Sequence, residues 1–131
     1  MQKAQFLSSR IGLGLLALLL SMPVALAQTA GDAQKGQTVF NQCKVCHSLD
    51  AGKNLMGPSL HGLIGRKSGA AAGFNYSAAM KSANITWDAD TLSKYLADPK
   101  SFIAGTTMIF AGVKDDASRR DLIAYLEQAT K

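Results

Sequence analysis

The chain has 131 residues, of which 47% are hydrophobic and 18% are charged, with two cysteines and a formal net charge of +5. This length fits one domain, the low charged fraction argues against disorder, and two cysteines are too few for a disulfide-rich scaffold. Lysine and arginine are scattered among nine acidic residues, which argues against a nucleic-acid-binding protein.

The first 27 residues have the layout of a secretory signal peptide. Lys3 and Arg10 precede an uncharged apolar segment, and residues 25–27 (Ala-Leu-Ala) form a small-residue cleavage site. A retained membrane anchor is the alternative, but the apolar core, residues 11–20, is shorter than the roughly 20 residues that a span needs. Cleavage after Ala27 removes 27 of the 131 residues and two positive charges, which leaves one domain, residues 28–131, with a formal charge of +3.

The first predicted helix follows Asp32. Apolar and small residues recur at three- and four-residue steps up to Cys43, and the carboxylate of Asp32 can cap the first turn. The segment Cys43-Lys44-Val45-Cys46-His47 stands at the end of this helix. It predicts a covalently bound haem, because C-x-x-C-H is the attachment signature of a c-type haem. At helical spacing Cys43, Cys46 and His47 share one face, so both thiols can link to the porphyrin edge while the imidazole reaches iron.

Other interpretations of this motif have less support. A thioredoxin-like thiol pair needs a βαβ context, and no strand pattern is present. A zinc site needs two ligands besides the two cysteines, and the only histidines are His47, directly next to Cys46, and His61. A disulfide between Cys43 and Cys46 would close a loop of only two residues.

Three further helical segments are predicted. A short turn covers residues 77–82, and a helix runs over 88–98 and stops before Pro99, whose ring disfavours its continuation. The clearest helical pattern follows a polar start containing Asp115 and Asp116, acids that suit the positive end of a helix dipole, and extends to Ala129. The class is all-α with long loops, and such short helices bury so little apolar surface that a bound group is expected to fill the core.

A haem iron with His47 on one face needs a ligand on the other, and the candidates are Met56, His61, Met80 and Met108. Met108 is favoured because it lies 61 residues after His47, on a Gly- and Thr-containing loop after Pro99 that can reach over the opposite face. Met56 is too close in sequence. Histidine and methionine ligation favours ferrous iron and leaves no open position for a substrate, which argues for electron transfer.

With these residues in place, the chain resembles the class I c-type cytochromes, in the branch of soluble mitochondrial cytochrome c and bacterial cytochrome c2. The resemblance covers residues 31–131, and it rests on seven landmarks in order: Gly31-Asp32 with Gly36 and Phe40, the motif 43–47, and segments 57–63, 73–76, 85–87, 105–110 and 121–126. It implies a single small all-α domain of short helices and long loops around one covalently bound haem c.

The resemblance also implies roles for individual residues. Cys43 and Cys46 would carry the thioether links, with His47 and Met108 as axial iron ligands. The Pro58 carbonyl would accept the His47 Nδ1 proton, and Tyr95 would lie beside the Met108 sulfur. The haem propionates would be contacted by Arg66, Tyr76, Trp87 and Thr106. Gly36, Phe40 and Tyr125 match the family's contact between its terminal helices.

The chain departs from the family pattern mainly on its surface. The lysine ring around the haem edge is thinned at Gln42, Ser101 and Thr107, and Ala104 and Met80 replace a common proline and asparagine near the haem. We therefore expect an exported, monomeric periplasmic carrier of one electron rather than an enzyme. Its expected partners are membrane-bound redox complexes: a cytochrome bc1-type donor and a terminal oxidase or reaction-centre acceptor. The alternatives are a haem enzyme or gas-binding protein in which Met108 dissociates, and a colourless zinc or thiol module.

Overall fold

The computed structural model describes residues 30–131. The predicted leader, residues 1–27, lies outside the described residues, so its cleavage stays a prediction. No helix within residues 30–131 is long and apolar enough to cross a membrane. Long loops join the helices, and over this range the sheet-like pairing is limited to one isolated bridge between Lys67 and Thr86.

Residues 30–131 form five helices, each of which begins after a polar side chain that accepts hydrogen bonds from its first turn. In chain order they are α1 (Ala33–Phe40), α2 (Ala78–Ser82), α3 (Ala89–Ala97), α4 (Pro99–Phe102) and α5 (Asp116–Ala129). The capping residues are Asp32, Ser77, Asp88, Asp98 and Asp115. At α3 the cap is reciprocal, because the Thr91 side chain also accepts from the Asp88 backbone.

Four of the five helices match the sequence prediction, with two differences. Helix α1 ends at Phe40 rather than at Cys43, and residues 41–46 continue as turns in which the His47 N–H donates to the Cys43 carbonyl at 3.0 Å. Helix α4 was not predicted. Pro99 ends α3 but also starts α4, because a proline lacks only an N–H that the first helical position does not need.

Helices α1 and α5 cross in close contact. A Cβ on Gly36 would overlap the backbone carbonyl of Asp121, so the two backbones can approach only because this residue is glycine. The Asp121 carboxylate accepts a hydrogen bond from the Asp32 N–H at 2.7 Å, and the rings of Phe40 and Tyr125 pack with centroids 5.2 Å apart. The predicted contact between the terminal helices is therefore present.

The buried apolar side chains surround a central cavity of about 490 Å³. Of the twelve buried hydrophobic residues of the described range, nine line this cavity. They come from α1, α2, α3, α5 and the loops between α1 and α3. The core is thus shaped around an internal space, as expected for a domain whose core a bound group completes.

Candidate functional site

All ten residues that the sequence predicts for the site line this one cavity, although they are spread over more than 60 positions of the chain. They are Cys43, Cys46, His47, Pro58, Arg66, Tyr76, Trp87, Tyr95, Thr106 and Met108. A smaller hollow of about 330 Å³ lies against another side of His47 and contains neither cysteine. The large cavity is therefore the candidate site.

His47 is held in one orientation and one tautomer. Its Nδ1 lies 2.8 Å from the Pro58 carbonyl oxygen, and because a carbonyl only accepts, Nδ1 carries the proton and Nε2 keeps a free lone pair. Burial lowers the pKa of His47; the bond to Pro58 acts in the opposite sense, and the charge of Arg66 lowers the pKa further. The imidazole is thus a neutral base with a nitrogen available for a metal.

Gly57 is a site residue to which the sequence assigns no role. A Cβ at this position would overlap the His47 ring, so glycine allows the loop to lie against the imidazole. Its N–H donates to the Cys46 carbonyl at 2.8 Å, which ties this loop to the cysteine motif. The Gly57-Pro58 pair marks a turn in the sequence, but its contact with His47 depends on tertiary structure.

Cys43 and Cys46 are free thiols at the cavity wall. Burial, and next the neighbouring Cys46, raises the pKa of the Cys43 thiol to about 11, which is the opposite of what an activated redox thiolate needs. Within residues 30–131 no group of three or more His, Cys, Asp or Glu side chains could hold a metal ion. The described residues therefore offer no three-residue metal ligand set, and Cys43 is a poorly reactive thiol.

Met108 is positioned by a closed ring of hydrogen bonds. Its N–H donates to Thr106 Oγ1 at 3.4 Å, Thr106 Oγ1 lies 3.2 Å from the Tyr95 hydroxyl, and that hydroxyl donates to the Met108 sulfur at 3.5 Å. Because the Tyr95 proton goes to sulfur, Thr106 donates the bond between the two hydroxyls. Burial raises the pKa of Tyr95, so its hydroxyl remains a donor.

Three of the predicted site residues bring polar side-chain atoms to the cavity wall: Arg66, Tyr76 and Trp87. Trp87 and Arg66 are joined by backbone pairing, in which the Trp87 N–H donates to the Arg66 carbonyl at 2.9 Å. Arg66 Nη1 donates to the His61 carbonyl at 3.0 Å. Its Nε is the one buried side-chain nitrogen or oxygen in residues 30–131 that has no hydrogen-bond partner in the protein. A buried guanidinium N–H of this kind fits an anionic group inside the cavity.

These features fit a haem. Two thiols and an imidazole face the cavity from one turn, a thioether faces it from another loop, and most of the remaining wall is apolar. The lone Nε of Arg66 fits a carboxylate at the edge of the macrocycle. The predicted residues are thus brought together in an arrangement that suits such a group.

The other predicted candidates lie elsewhere or act differently. His61 is exposed and does not line the cavity, which agrees with its omission from the predicted site. Met56 is at the cavity mouth with 76% of its surface exposed, and Met80 is buried in the wall with 8% exposed. Apolar wall residues such as Leu60 and Leu63 were not predicted, because their burial depends on how the 57–66 loop folds back.

Comparison with known proteins gives one consistent family. The family profile described as cytochrome c matches residues 33–130. A cytochrome c2 of Blastochloris viridis is 52% identical over 116 residues, 88% of this chain and 89% of that protein. A cytochrome c of Arabidopsis thaliana is 49% identical over 112 residues, 84% of this chain and 100% of that protein. The solved structure of cytochrome cH from Methylobacterium extorquens is 43% identical, with a TM-score of 0.70 over 75% of this chain and 99% of that one.

Proposed function

The chain belongs to the cytochrome c family, and from this premise we propose that it is an exported carrier of one electron whose iron ligands are His47 and Met108. Members of the family are small electron carriers with the class I all-α fold and one covalently attached haem c. The haem supplies an iron that alternates between the ferric and ferrous states. What this chain adds is the way its own residues hold and surround that group.

We propose that Cys43 and Cys46 form the two thioether links. Both cysteines line the cavity, and hydrogen bonds from the Cys46 and His47 N–H groups to the Cys43 carbonyl, at 3.1 and 3.0 Å, hold the turn that carries them. These two residues would hold the macrocycle close to His47, whose Nε2 would be free to bind its iron.

Ligation by His47 and Met108 is the proposal that decides the function. The observation that carries it is that both side chains line one cavity, each already oriented by its own hydrogen bonds: His47 by Pro58, and Met108 by Tyr95. With both side chains bound to the iron of a haem, no coordination site would be left for a substrate. A thioether ligand favours the ferrous state, which suits an electron carrier.

The haem carboxylates are proposed to lie against Arg66, Tyr76, Trp87 and Thr106. Arg66 Nε has no other partner, and the Tyr76 hydroxyl oxygen accepts from the Ala71 N–H at 3.3 Å, which leaves its own proton free to donate. Donors are needed here because a buried carboxylate without partners is costly. Thr106 would serve as a donor only if its hydroxyl proton turned from Tyr95 to the carboxylate.

Export and transient docking complete the proposal. The predicted leader, residues 1–27, supports a periplasmic location, and the mature domain would be a monomer with a formal charge of +3. Its proposed partners are a cytochrome bc1-type donor and a terminal oxidase or reaction-centre acceptor, met through a small interface around the haem edge. The net positive charge of the domain would steer its encounter with a partner. The association rates should therefore fall as added salt screens this charge.

Stopped-flow kinetics of the exported, haem-loaded protein test the carrier function. The dithionite-reduced protein should transfer one electron to ferricyanide rapidly and completely. It should bind carbon monoxide only weakly, because Met108 as a ligand would compete with the gas for iron. Mass spectrometry of the same sample should show cleavage after Ala27. Tight carbon monoxide binding by the native reduced protein would contradict the proposal and favour a gas-binding or enzymatic function.

A further inference from the structure

A second hollow lies outside the haem cavity, between residues 37–55 and Tyr125, and we call it the side hollow. Its volume is about 330 Å³, which is at the lower end of the range for small-molecule sites in proteins. Of the ten residues that the sequence predicts for the haem site, His47 alone also lines the side hollow. A haem held by those ten residues therefore leaves this second space open.

One part of the lining comes from α1 and the turns that continue it. Gln37, Asn41 and Lys44 follow one another at steps of four and three residues, so they share one helix face. The helical spacing persists beyond the end of α1, because the Lys44 N–H donates to the Phe40 carbonyl at 3.2 Å. All three side chains are exposed, so the side hollow presents two amides and one ammonium group to solvent.

A second part of the lining comes from the loop of residues 48–55. The Leu55 N–H donates to the Gly57 carbonyl at 2.9 Å, and the Gly57 N–H is itself bonded to the cysteine motif. These bonds fold the loop back toward the end of α1. The loop thereby adds one cation, Lys53, and two apolar side chains, Leu49 and Leu55, to the side hollow.

The remaining lining is aromatic. Phe40, which is buried, and Tyr125, which is half-buried, meet at the crossing of α1 and α5 with ring centroids 5.2 Å apart. Both line the side hollow. A flat ring of a ligand can pack against such a pair in an offset or edge-on arrangement, while aliphatic side chains cover its other faces.

The charged side chains of this lining, apart from the neutral His47, are both positive. Lys44 takes part in none of the four ion pairs among residues 30–131. Lys53 lies 3.2 Å from Asp50, but both side chains are more than half exposed, and such surface pairs are weak. One unpaired lysine and one weakly paired lysine suit a ligand with a single negative charge.

We propose that the side hollow binds a small aromatic carboxylate. Its ring packs on Phe40 and Tyr125, and its carboxylate is held by Lys44 and Lys53. A bare anion would leave the apolar lining unused, and a nucleotide carries more negative charge than these two lysines neutralise. This binding site goes beyond electron transfer and does not depend on which residue is the sixth iron ligand.

Titration of the haem-loaded, ascorbate-reduced protein with benzoate, followed by amide NMR, tests the proposal. Saturable shifts should be confined to residues around the side hollow, with a dissociation constant of about 0.1–1 mM for so small a ligand. Lys44→Gln should weaken binding about three- to tenfold, because it removes an unpaired cation. Lys53→Gln should weaken it less. The matched control is Lys94→Gln, an exposed lysine of α3 that lines neither hollow, and it should stay within twofold of the wild type.

Two further ligands separate the contributions of ring and charge. Acetate, which has no ring, and benzyl alcohol, which has no charge, should each bind at least about tenfold more weakly than benzoate. Acetate or inorganic phosphate bound as tightly as benzoate would overturn the proposal in favour of a general anion site. Equal affinities of Lys44→Gln and Lys94→Gln, or the lack of any saturable shift, would also overturn it. A change in the visible haem spectrum on adding benzoate would place the ligand in the haem cavity and contradict the proposal as well.

Discussion

At the scale of single residues, the two proposed iron ligands are oriented by different chemistry. His47 is held by a backbone acceptor, the Pro58 carbonyl, and by the close approach of Gly57. Met108 is held by hydroxyls, since Tyr95 donates to its sulfur and Thr106 links Tyr95 to the Met108 backbone. The bond to His47 makes nitrogen a better donor, whereas the bond to sulfur withdraws electron density from the thioether.

The Tyr95→Phe variant tests the role of that hydroxyl. Without its hydrogen bond the thioether becomes a better donor to ferric iron, so the reduction potential should fall, by roughly 20 to 60 mV for one hydrogen bond of typical strength. Potentiometric titration of the haem-loaded protein measures the change. Tyr125→Phe is the matched control, because Tyr125 packs on Phe40 away from Met108 and should keep the wild-type potential. An equal shift in both variants would contradict this role.

At the scale of helices, the fold depends on the crossing of α1 and α5. We expect Gly36→Ala to destabilise the protein by about 1–3 kcal/mol, because the new methyl group overlaps the Asp121 carbonyl and forces the helices apart. Guanidinium unfolding of the haem-loaded protein measures the loss. The exposed Thr38 on the same helix provides the control, and Thr38→Ala should change stability by less than about 0.5 kcal/mol. Equal stability of both variants would show that the close crossing is not needed.

The caps of the helices make stability depend on pH in acid. Hydrogen bonds from Ser118 lower the pKa of Asp115 below its ordinary value of 3.8. A carboxyl group whose pKa is lower in the folded than in the unfolded protein stabilises the fold at pH values above its unfolded-state pKa. That stabilisation is lost as the pH falls through the folded-state pKa. The thermal midpoint should therefore fall as pH drops below about 4.

Asp115→Asn should make that fall shallower, because asparagine caps a helix without titrating. The measurement is the thermal midpoint at a series of pH values from 2 to 7. Glu127→Gln, an exposed position late in α5, is the control and should fall in parallel with the wild type. If the thermal midpoint of Asp115→Asn fell with pH as steeply as that of the wild type, this cap would not contribute to the acid sensitivity.

At the scale of the whole molecule, the haem is part of the core. Nine of the twelve buried apolar residues in the described range face the cavity, so without the cofactor they would line about 490 Å³ of empty or hydrated space. A domain of this size has little other apolar surface to bury. Attachment of the haem and folding are therefore expected to be coupled.

The Cys43→Ala/Cys46→Ala double variant should consequently fail to form a rigid native state. Cavities of this kind cost several kcal/mol, which is comparable to the whole stability of a small domain. Near-ultraviolet circular dichroism and thermal unfolding should show weak tertiary signal and no cooperative transition. Val45→Ser, which changes the same turn but keeps both thiols, should remain folded with its haem. A cooperative transition in the double variant would refute the coupling.

Local signals in the sequence predicted much of this architecture. The cap Asp32 predicted where α1 begins, and the acids Asp115 and Asp116 predicted the start of α5. The contiguous motif of residues 43–47 predicted the cofactor. The pattern around Pro99 predicts the end of α3 but not the start of α4, because a proline is typical both after a helix and in its first turn. The contact of Gly57 with His47 and the unpaired Nε of Arg66 arise where distant loops meet, so no local pattern shows them.

Visible spectroscopy of the exported protein, with haem retained on a denaturing gel, tests the ligation by His47 and Met108 most directly. The ferric wild type should be low-spin and show the charge-transfer band from methionine sulfur to ferric iron. That band should disappear in Met108→Ala and persist in Met80→Leu and Met56→Leu. Covalently attached haem without the band, or a band that survives in Met108→Ala, would contradict the account and move the function toward an open iron site.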